Sequence, residues 1–378
     1  MKFVKYILLV AFMLAPLVCP AGQDASVHEV VTLKEKDPPG GLAFSADGTR
    51  LIALAGSYPD DGHVWAWRDA KVVARLPQAH IGSSAKRPIG TSPDGKYWAV
   101  CGRGVTIWDA RSWQPVVIPK GKFANDDASM ADLLGCRALV FSADGKQMIV
   151  ARFSARTEPR IVAYDTRNWQ RLWSLVTSPF SPENLALSPD GKLLAISGTA
   201  SNITAPRVPL TPGFETQSFS QGYIALVDLD TQKIARTIPI EGTDYTSSAD
   251  IAWSLDSKTI TVGAGAALRT YAVSCVPQDA ALLAENKFAR PRLFASPDGK
   301  YRIVTDLGER HDVVRVFDVS GPAWKILHEI HARPMHLAWA PDSRHFALSG
   351  AARSLASLIP YGDLLMRSSG KIIVYEIR

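Results

Sequence analysis

The chain has 378 residues, 47% hydrophobic and 21% charged, a balance that excludes a disordered or low-complexity polymer. Its formal net charge of +6 is a thin excess over so large a surface and lacks the clustered Lys/Arg stripe of a nucleic-acid binder, so no nucleic-acid partner is expected. A chain longer than about 250–300 residues ordinarily splits into several cores, unless it is built from repeats.

The first element is a leader. Lys2 and Lys5 precede an uncharged, mostly apolar run over residues 6–18, which is too short to span a bilayer and matches a secretory signal. Small residues at Cys19 and Ala21 place cleavage after Ala21, giving a signal peptide over 1–21 and a mature chain over 22–378, secreted or periplasmic. Val18 departs from the small residue a lipobox needs before its cysteine, so lipid anchoring is the less favoured reading. Loss of Lys2 and Lys5 takes the net charge from +6 to +4 and leaves Cys101, Cys136 and Cys275. Three cysteines allow at most one internal disulfide, with the pairing open. No later apolar run approaches membrane-spanning length, so no transmembrane segment is expected.

From residue 42 onward the chain repeats. A turn of the form Ser-Pro-Asp-Gly occurs seven times, with its acidic residue at Asp47, Asp94, Asp144, Asp190, Asp256, Asp298 and Asp342. An aliphatic residue stands three places before each turn, at Leu42, Ile89, Leu139, Leu185, Ile251, Leu293 and Leu337. Asp-Gly between apolar runs is the strongest short-range hairpin signal, because glycine accepts the positive φ of the turn. Each copy therefore predicts strand, tight turn, strand. Each hairpin is followed by a short third strand ending in an aromatic residue in six of seven cases, as in Val105-Thr-Ile-Trp-Asp109. Most units add a fourth, such as residues 72–76, 115–118, 171–175, 234–238 and 325–330. Seven units of four antiparallel strands predict an all-β, seven-bladed β-propeller. The last unit ends at Arg378 after its third strand, while residues 28–34 read as a strand with no blade of its own. Pairing the two closes the ring and removes an exposed sheet edge.

At Phe44-Ser-Ala-Asp-Gly48 and Val105-Thr-Ile-Trp-Asp109 the sequence resembles the WD-repeat β-propellers, over nearly the whole mature chain. The family's Gly-His ahead of the first strand survives only as Ala79-His80 and Ile330-His331, so its polar network is expected to be incomplete here. The resemblance implies an interaction platform without a common active site.

Two connections between second and third strands are long: residues 199–222 in blade 4, with Phe214 and Phe219, and residues 351–370 in blade 7, with Leu358, Tyr361, Leu365 and Met366. Loops of this length without structure of their own are usually functional or disordered. The hairpin turns share one face of a propeller, so both connections emerge on the other. These six apolar and aromatic residues are the candidate partner-binding set, since such patches are costly to expose unless something covers them.

Catalytic signals are sparse: there is no Gly-x-Ser-x-Gly, phosphate loop or His-Glu-x-x-His. His328, His331 and His336 are the densest histidine group, but the blade register explains them as strand and connector residues, so no metal is assigned. Pro59-Asp-Asp-Gly-His63 reads as a turn. Asp109, Asp165, Asp228, Asp318 and Glu376 recur at one position of five blades, as structural turn residues do. The ten tryptophans are expected in blade packing. The favoured function is an exported, monomeric, cofactor-free platform for a protein or peptide. The alternative is a small-ligand or enzymatic propeller, lactonase-like or cofactor-dependent, which would gather carboxylates or histidines from several blades at the channel mouth.

Overall fold

A computed structural model describes residues 26–55, 62–76, 89–101, 105–116, 135–152, 160–177, 180–200, 221–240, 250–264, 266–273, 282–288, 291–307, 312–321, 323–352 and 370–378. Its strands form seven antiparallel sheets. Strand β1 (Val27–Lys34) stands first in the chain and belongs to the last blade. Blade 1 is β2 (Pro39–Phe44), β3 (Leu51–Ala55), β4 (Gly62–Ala66) and β5 (Lys71–Leu76). Blade 2 is β6 (Ile89–Thr91), β7 (Tyr97–Cys101) and β8 (Val105–Asp109). Blade 3 is β9 (Cys136–Phe141), β10 (Gln147–Arg152), β11 (Arg160–Asp165) and β12 (Arg171–Val176). Blade 4 is β13 (Phe180–Leu187), β14 (Leu193–Ala200), β15 (Gln221–Asp228) and β16 (Lys233–Ile240). Blade 5 is β17 (Asp250–Trp253), β18 (Thr259–Ala264), β19 (Ala267–Ala272) and β20 (Leu282–Lys287). Blade 6 is β21 (Pro291–Ala295), β22 (Tyr301–Leu307), β23 (Asp312–Asp318) and β24 (Lys325–Ile330). Blade 7 is β25 (Ala332–Trp339), β26 (His345–Ala352) and β27 (Lys371–Ile377), completed by β1.

The first strand of each blade is innermost, and these strands pack on one another in ring order, β25 returning to β2. The ring closes as the sequence predicts: β1 runs antiparallel to β27, from Val27 opposite Ile377 to Lys34 opposite Lys371, with one irregularity between Glu29 and Val31. A further tie spans the closure. The Glu35 carboxylate accepts a 2.6 Å hydrogen bond from Trp65 Nε1 and contacts His63 Nδ1 at 2.7 Å, so the end of the N-terminal strand grips blade 1 as well as blade 7.

The repeated turn is held by its serine. In six blades the hydroxyl donates to the turn aspartate and accepts the backbone N–H five residues on, as Ser188 does with Asp190 and Leu193. Glycine or serine then takes the positive φ, 71° at Gly191 and 58° at Ser343. Blades pack through apolar faces. The residue three places before the turn faces the preceding blade, as Leu42 joins Ala347 and Ile372 of blade 7, and Leu337 joins Ile303 and Val316 of blade 6. Tryptophans serve this packing as expected: Trp67, Trp98, Trp108, Trp169, Trp173 and Trp253 are buried, and Trp253 Nε1 donates to the Ala186 carbonyl of blade 4 at 3.1 Å.

Two blades differ from the plain repeat. Blade 2 is a three-stranded sheet among the described residues; where the fourth strand is expected, Pro115 bridges Trp108 and the Val116 N–H donates to the Ile107 carbonyl at 2.8 Å, and residues 117–118 lie outside the described residues. Blade 5 does have a fourth strand, β20, which the sequence pattern does not announce because Leu-Leu-Ala-Glu-Asn-Lys is poor in β-branched and aromatic residues. Residues 1–21, expected from the sequence to be a signal peptide, lie outside the described residues. No helix among the described residues is long and apolar enough to cross a membrane.

Candidate functional site

Each inner strand begins at the end of the ring opposite the Asp-Gly turns, the same end at which second strands finish and third strands start. The strand ends that flank both long connections, Ala200 and Gln221 in blade 4, and Ala352 and Lys371 in blade 7, lie there. Phe214, Phe219, Leu358, Tyr361, Leu365 and Met366 themselves lie outside the described residues.

The residue four places before the turn, next to the apolar position, lies within the inner strand, first in β17, second in β21 and fifth of eight in β13 and β25. It is Gly41 in blade 1 and Ala138 in blade 3, so packing there needs no large side chain. In blades 4 to 7 it is Asn184, Asp250, Arg292 and His336. Three of these interact in series. Asp250 Oδ2 lies 3.7 Å from Arg292 Nε and accepts the Leu293 backbone N–H at 3.3 Å, so blade 5 meets blade 6 through an ion pair and a main-chain bond. Arg292 also lies across the Phe294 ring, its Cζ 5.2 Å from the centroid. Burial, aided by the Arg292 charge, pushes the His336 imidazole down to about 4, so it is neutral near pH 7. Behind this row stand buried hydroxyls on the second strands: Ser197 opposite Asn184, Thr305 opposite Arg292 and Ser349 opposite His336.

This polar row offers donors and acceptors side by side: a guanidinium, a carboxylate, a neutral imidazole and an amide. Such a set can hold a peptide main chain or a small polar ligand, whose own donors and acceptors it matches. Of this row only His336 stands out in the sequence, as part of a histidine group. In the structure His328 and His331 are exposed on the outer strand β24 and just beyond it, while His336 is half-buried on the inner strand, so the group divides. The signal that finds the row is alignment on the turns; the invariant apolar neighbour one residue later draws attention away from it.

Other sequence candidates take structural roles. Asp109 accepts the N–H groups of Arg111 and Ser112, Asp228 that of Thr231, and Asp318 that of Ser320, while Asp165 grips the Arg167 guanidinium. These bonds hold all four carboxyls below the usual range, with the Ser112 N–H, Thr231 N–H, Ser320 hydroxyl and Arg167 side chain the respective main causes. Of Pro59-Asp-Asp-Gly-His63, Gly62 and His63 are described, and His63 is engaged by Glu35. Among the described residues no group of three His, Cys, Asp or Glu side chains is placed to hold a metal ion. Among the described residues Cys101, the last residue of β7, forms a disulfide with Cys136, the first of β9, with Cα atoms 5.2 Å apart.

No family model matches the chain. SEC12-like protein 2 of Arabidopsis thaliana is 31% identical over 159 residues, a match spanning 41% of this chain and 37% of that protein. Among solved structures, the Myceliophteria thermophila Cps50 (Swd1) β-propeller domain superposes with a TM-score of 0.61 at 12% identity, covering 93% of this chain and all of that one. Kuenenia stuttgartiensis hydrazine synthase does so with a TM-score of 0.58 at 16% identity, covering 84% and 94%. At these identities the likeness is one of fold.

Proposed function

We propose that this WD-repeat-like propeller is an exported platform that docks a protein or peptide at the loop-bearing mouth of its ring. The observation that carries the reading is the inner-strand row Asn184, Asp250, Arg292 and His336, placed where glycine and alanine suffice in other blades. Polar groups held part-buried on inner strands are costly to desolvate without a purpose. The two long connections join strands at the same end, and their Phe214, Phe219, Leu358, Tyr361, Leu365 and Met366 would supply apolar anchors around a polar centre, the usual division of labour in an interface. Export is supported by the leader pattern of Lys2, Lys5 and the apolar run, and by the Cys101–Cys136 disulfide, a bond that persists in oxidising compartments.

The reading is tested by capturing partners from the exported fraction with the intact chain and with Asp250→Ala/Arg292→Ala. The double variant should fold and lose the specific partner; a folded variant that retains it places docking elsewhere. The same row favours a second reading, a small polar ligand at the mouth, because it joins a carboxylate and an imidazole from different blades. Ligand saturation at the mouth with no dependence on Tyr361 or Leu365 would favour it over docking.

A further inference from the structure

We propose that the Cys101–Cys136 disulfide is a redox-released latch on the seam between blades 2 and 3. Among the described residues, blade 2 on this seam is the smallest of the seven sheets. The inner strand of blade 2, β6, has three residues, all of them half-buried, and the sheet has no full fourth strand among the described residues. Gly90 packs closely on blade 3, where a Cβ would displace the Leu139 side-chain end. The two sulfurs lie within the shared seam core of Ala99, Ile107, Leu139 and Val150 and join a second strand of one blade to the inner strand of the next across 35 residues of sequence. That link confines the segment between them and keeps β7 against β9.

Release is available from one side. Cys101 is fully buried and Cys136 half-buried, so a dithiol attacks the Cys136 sulfur and Cys101 departs as the leaving thiol. The Sγ–Sγ bond breaks, each protein sulfur gains a hydrogen, and the dithiol becomes a cyclic disulfide. The ring then keeps six complete blades and a loosened one, whose inner strand is part of the channel wall. The platform is thus held whole in oxidising surroundings and opened at one known place in reducing ones. This proposal stands whether or not the mouth docks a peptide.

Hydrogen–deuterium exchange on the full chain tests it, oxidised and after dithiothreitol, with Cys101→Ala/Cys136→Ala as the permanent open form and Cys275→Ala as control. Peptides covering β6 to β9 should exchange at least about tenfold faster without the bond, since a cross-link of this span is worth more than that in local opening. Blades 4 to 6 and the β1–β27 pair should stay within about twofold. Unchanged exchange at the seam overturns the latch, as does an equal rise in all seven blades or a non-reducing peptide map in which Cys101 and Cys136 are unpaired. If the double variant does not fold, titrating the folded, oxidised chain with dithiothreitol reads the same quantity.

Discussion

The Ser343 hydroxyl accepts a 2.8 Å hydrogen bond from the Asp298 backbone N–H of the preceding blade, while Ser343 itself holds a φ of 58°. Ser257 repeats the arrangement with Asp190 at 3.2 Å in a more exposed setting. Blades 5 and 7, which have Ser where other turns have Gly, thus gain a bond between blades that glycine cannot make. Replacing either serine with Gly relieves the left-handed backbone, worth about 1–2 kcal/mol before glycine's own entropy loss. At Ser343 the lost bond strands a part-buried N–H, which costs about 1–3 kcal/mol. Ser343→Gly is therefore expected to be destabilising by about 1 kcal/mol and Ser257→Gly neutral or slightly stabilising, read from urea midpoints at constant m. Equal effects at the two sites would contradict this account of the Asp-Ser turns.

Ring closure should depend on the first described strand and on its last anchor. Deleting residues 22–36 removes the β1–β27 pairing and is expected to lower Tm sharply. Glu35→Ala leaves the strand but strips Trp65 Nε1 and His63 of their acceptor, with an expected loss of about 1–3 kcal/mol in a part-buried network. Calorimetry on both variants checks the order, the deletion being the more damaging. A deletion that melts like the parent contradicts closure by the N-terminal strand.

Stability should fall on mild acidification. His336 sits near 4 in the folded protein against an ordinary 6.5, so between those values the unfolded chain binds more protons and protonation favours unfolding. The loss begins as pH drops through 6.5 and amounts to about 1–2 kcal/mol by pH 5, after allowance for partial exposure. Turn carboxyls such as Asp144, Asp190 and Asp256, held low by their serine partners, contribute stability that is lost only as pH falls below about 4. His336→Gln should accordingly flatten the urea midpoint between pH 6.5 and 5 and leave the steeper acid limb. A parent profile already flat in that window would contradict the burial of a neutral imidazole.

Gly198 tests how closely the strands of blade 4 approach. It opposes Pro182 beside the irregularity at residues 182–184, and a Cβ there would overlap the Ser181 carbonyl. Backbone cannot yield as a flexible side chain does, so Gly198→Ala is expected to cost about 1–3 kcal/mol in urea unfolding. Gly191→Ala meets no atom and should lose only the φ preference, about 1 kcal/mol.

The fold was legible because its signals are local and repeated. Ser188-Pro-Asp-Gly191 states a turn in four residues, and seven spaced copies state a ring. The orphan strand at residues 28–34 was legible for the same reason, since a blade ending at Ile377 lacks its fourth member. What remained hidden depends on contacts distant in sequence. Nothing near Glu35 announces Trp65, the choice of Cys136 over Cys275 as partner of Cys101 needs the seam of blades 2 and 3, and Asp250 meets Arg292 only once β17 lies beside β21. β20 was hidden for a different reason: its residues have little strand preference, and the edge of β19 recruits them.

The central claim is that the loop-bearing mouth of the ring, rather than the turn face, receives the partner. Two positions in blade 4 are compared: Asn184, in the polar row within β13, and Lys192 beside the turn. A photo-crosslinking benzoylphenylalanine placed at one or the other in the full chain, illuminated in a whole extract, measures which position meets the partner. Docking at the loop-bearing mouth gives a discrete cross-linked species from Asn184, abolished by Tyr361→Ala/Leu365→Ala, and none from Lys192. A species from Lys192 alone, insensitive to that double variant, would contradict it.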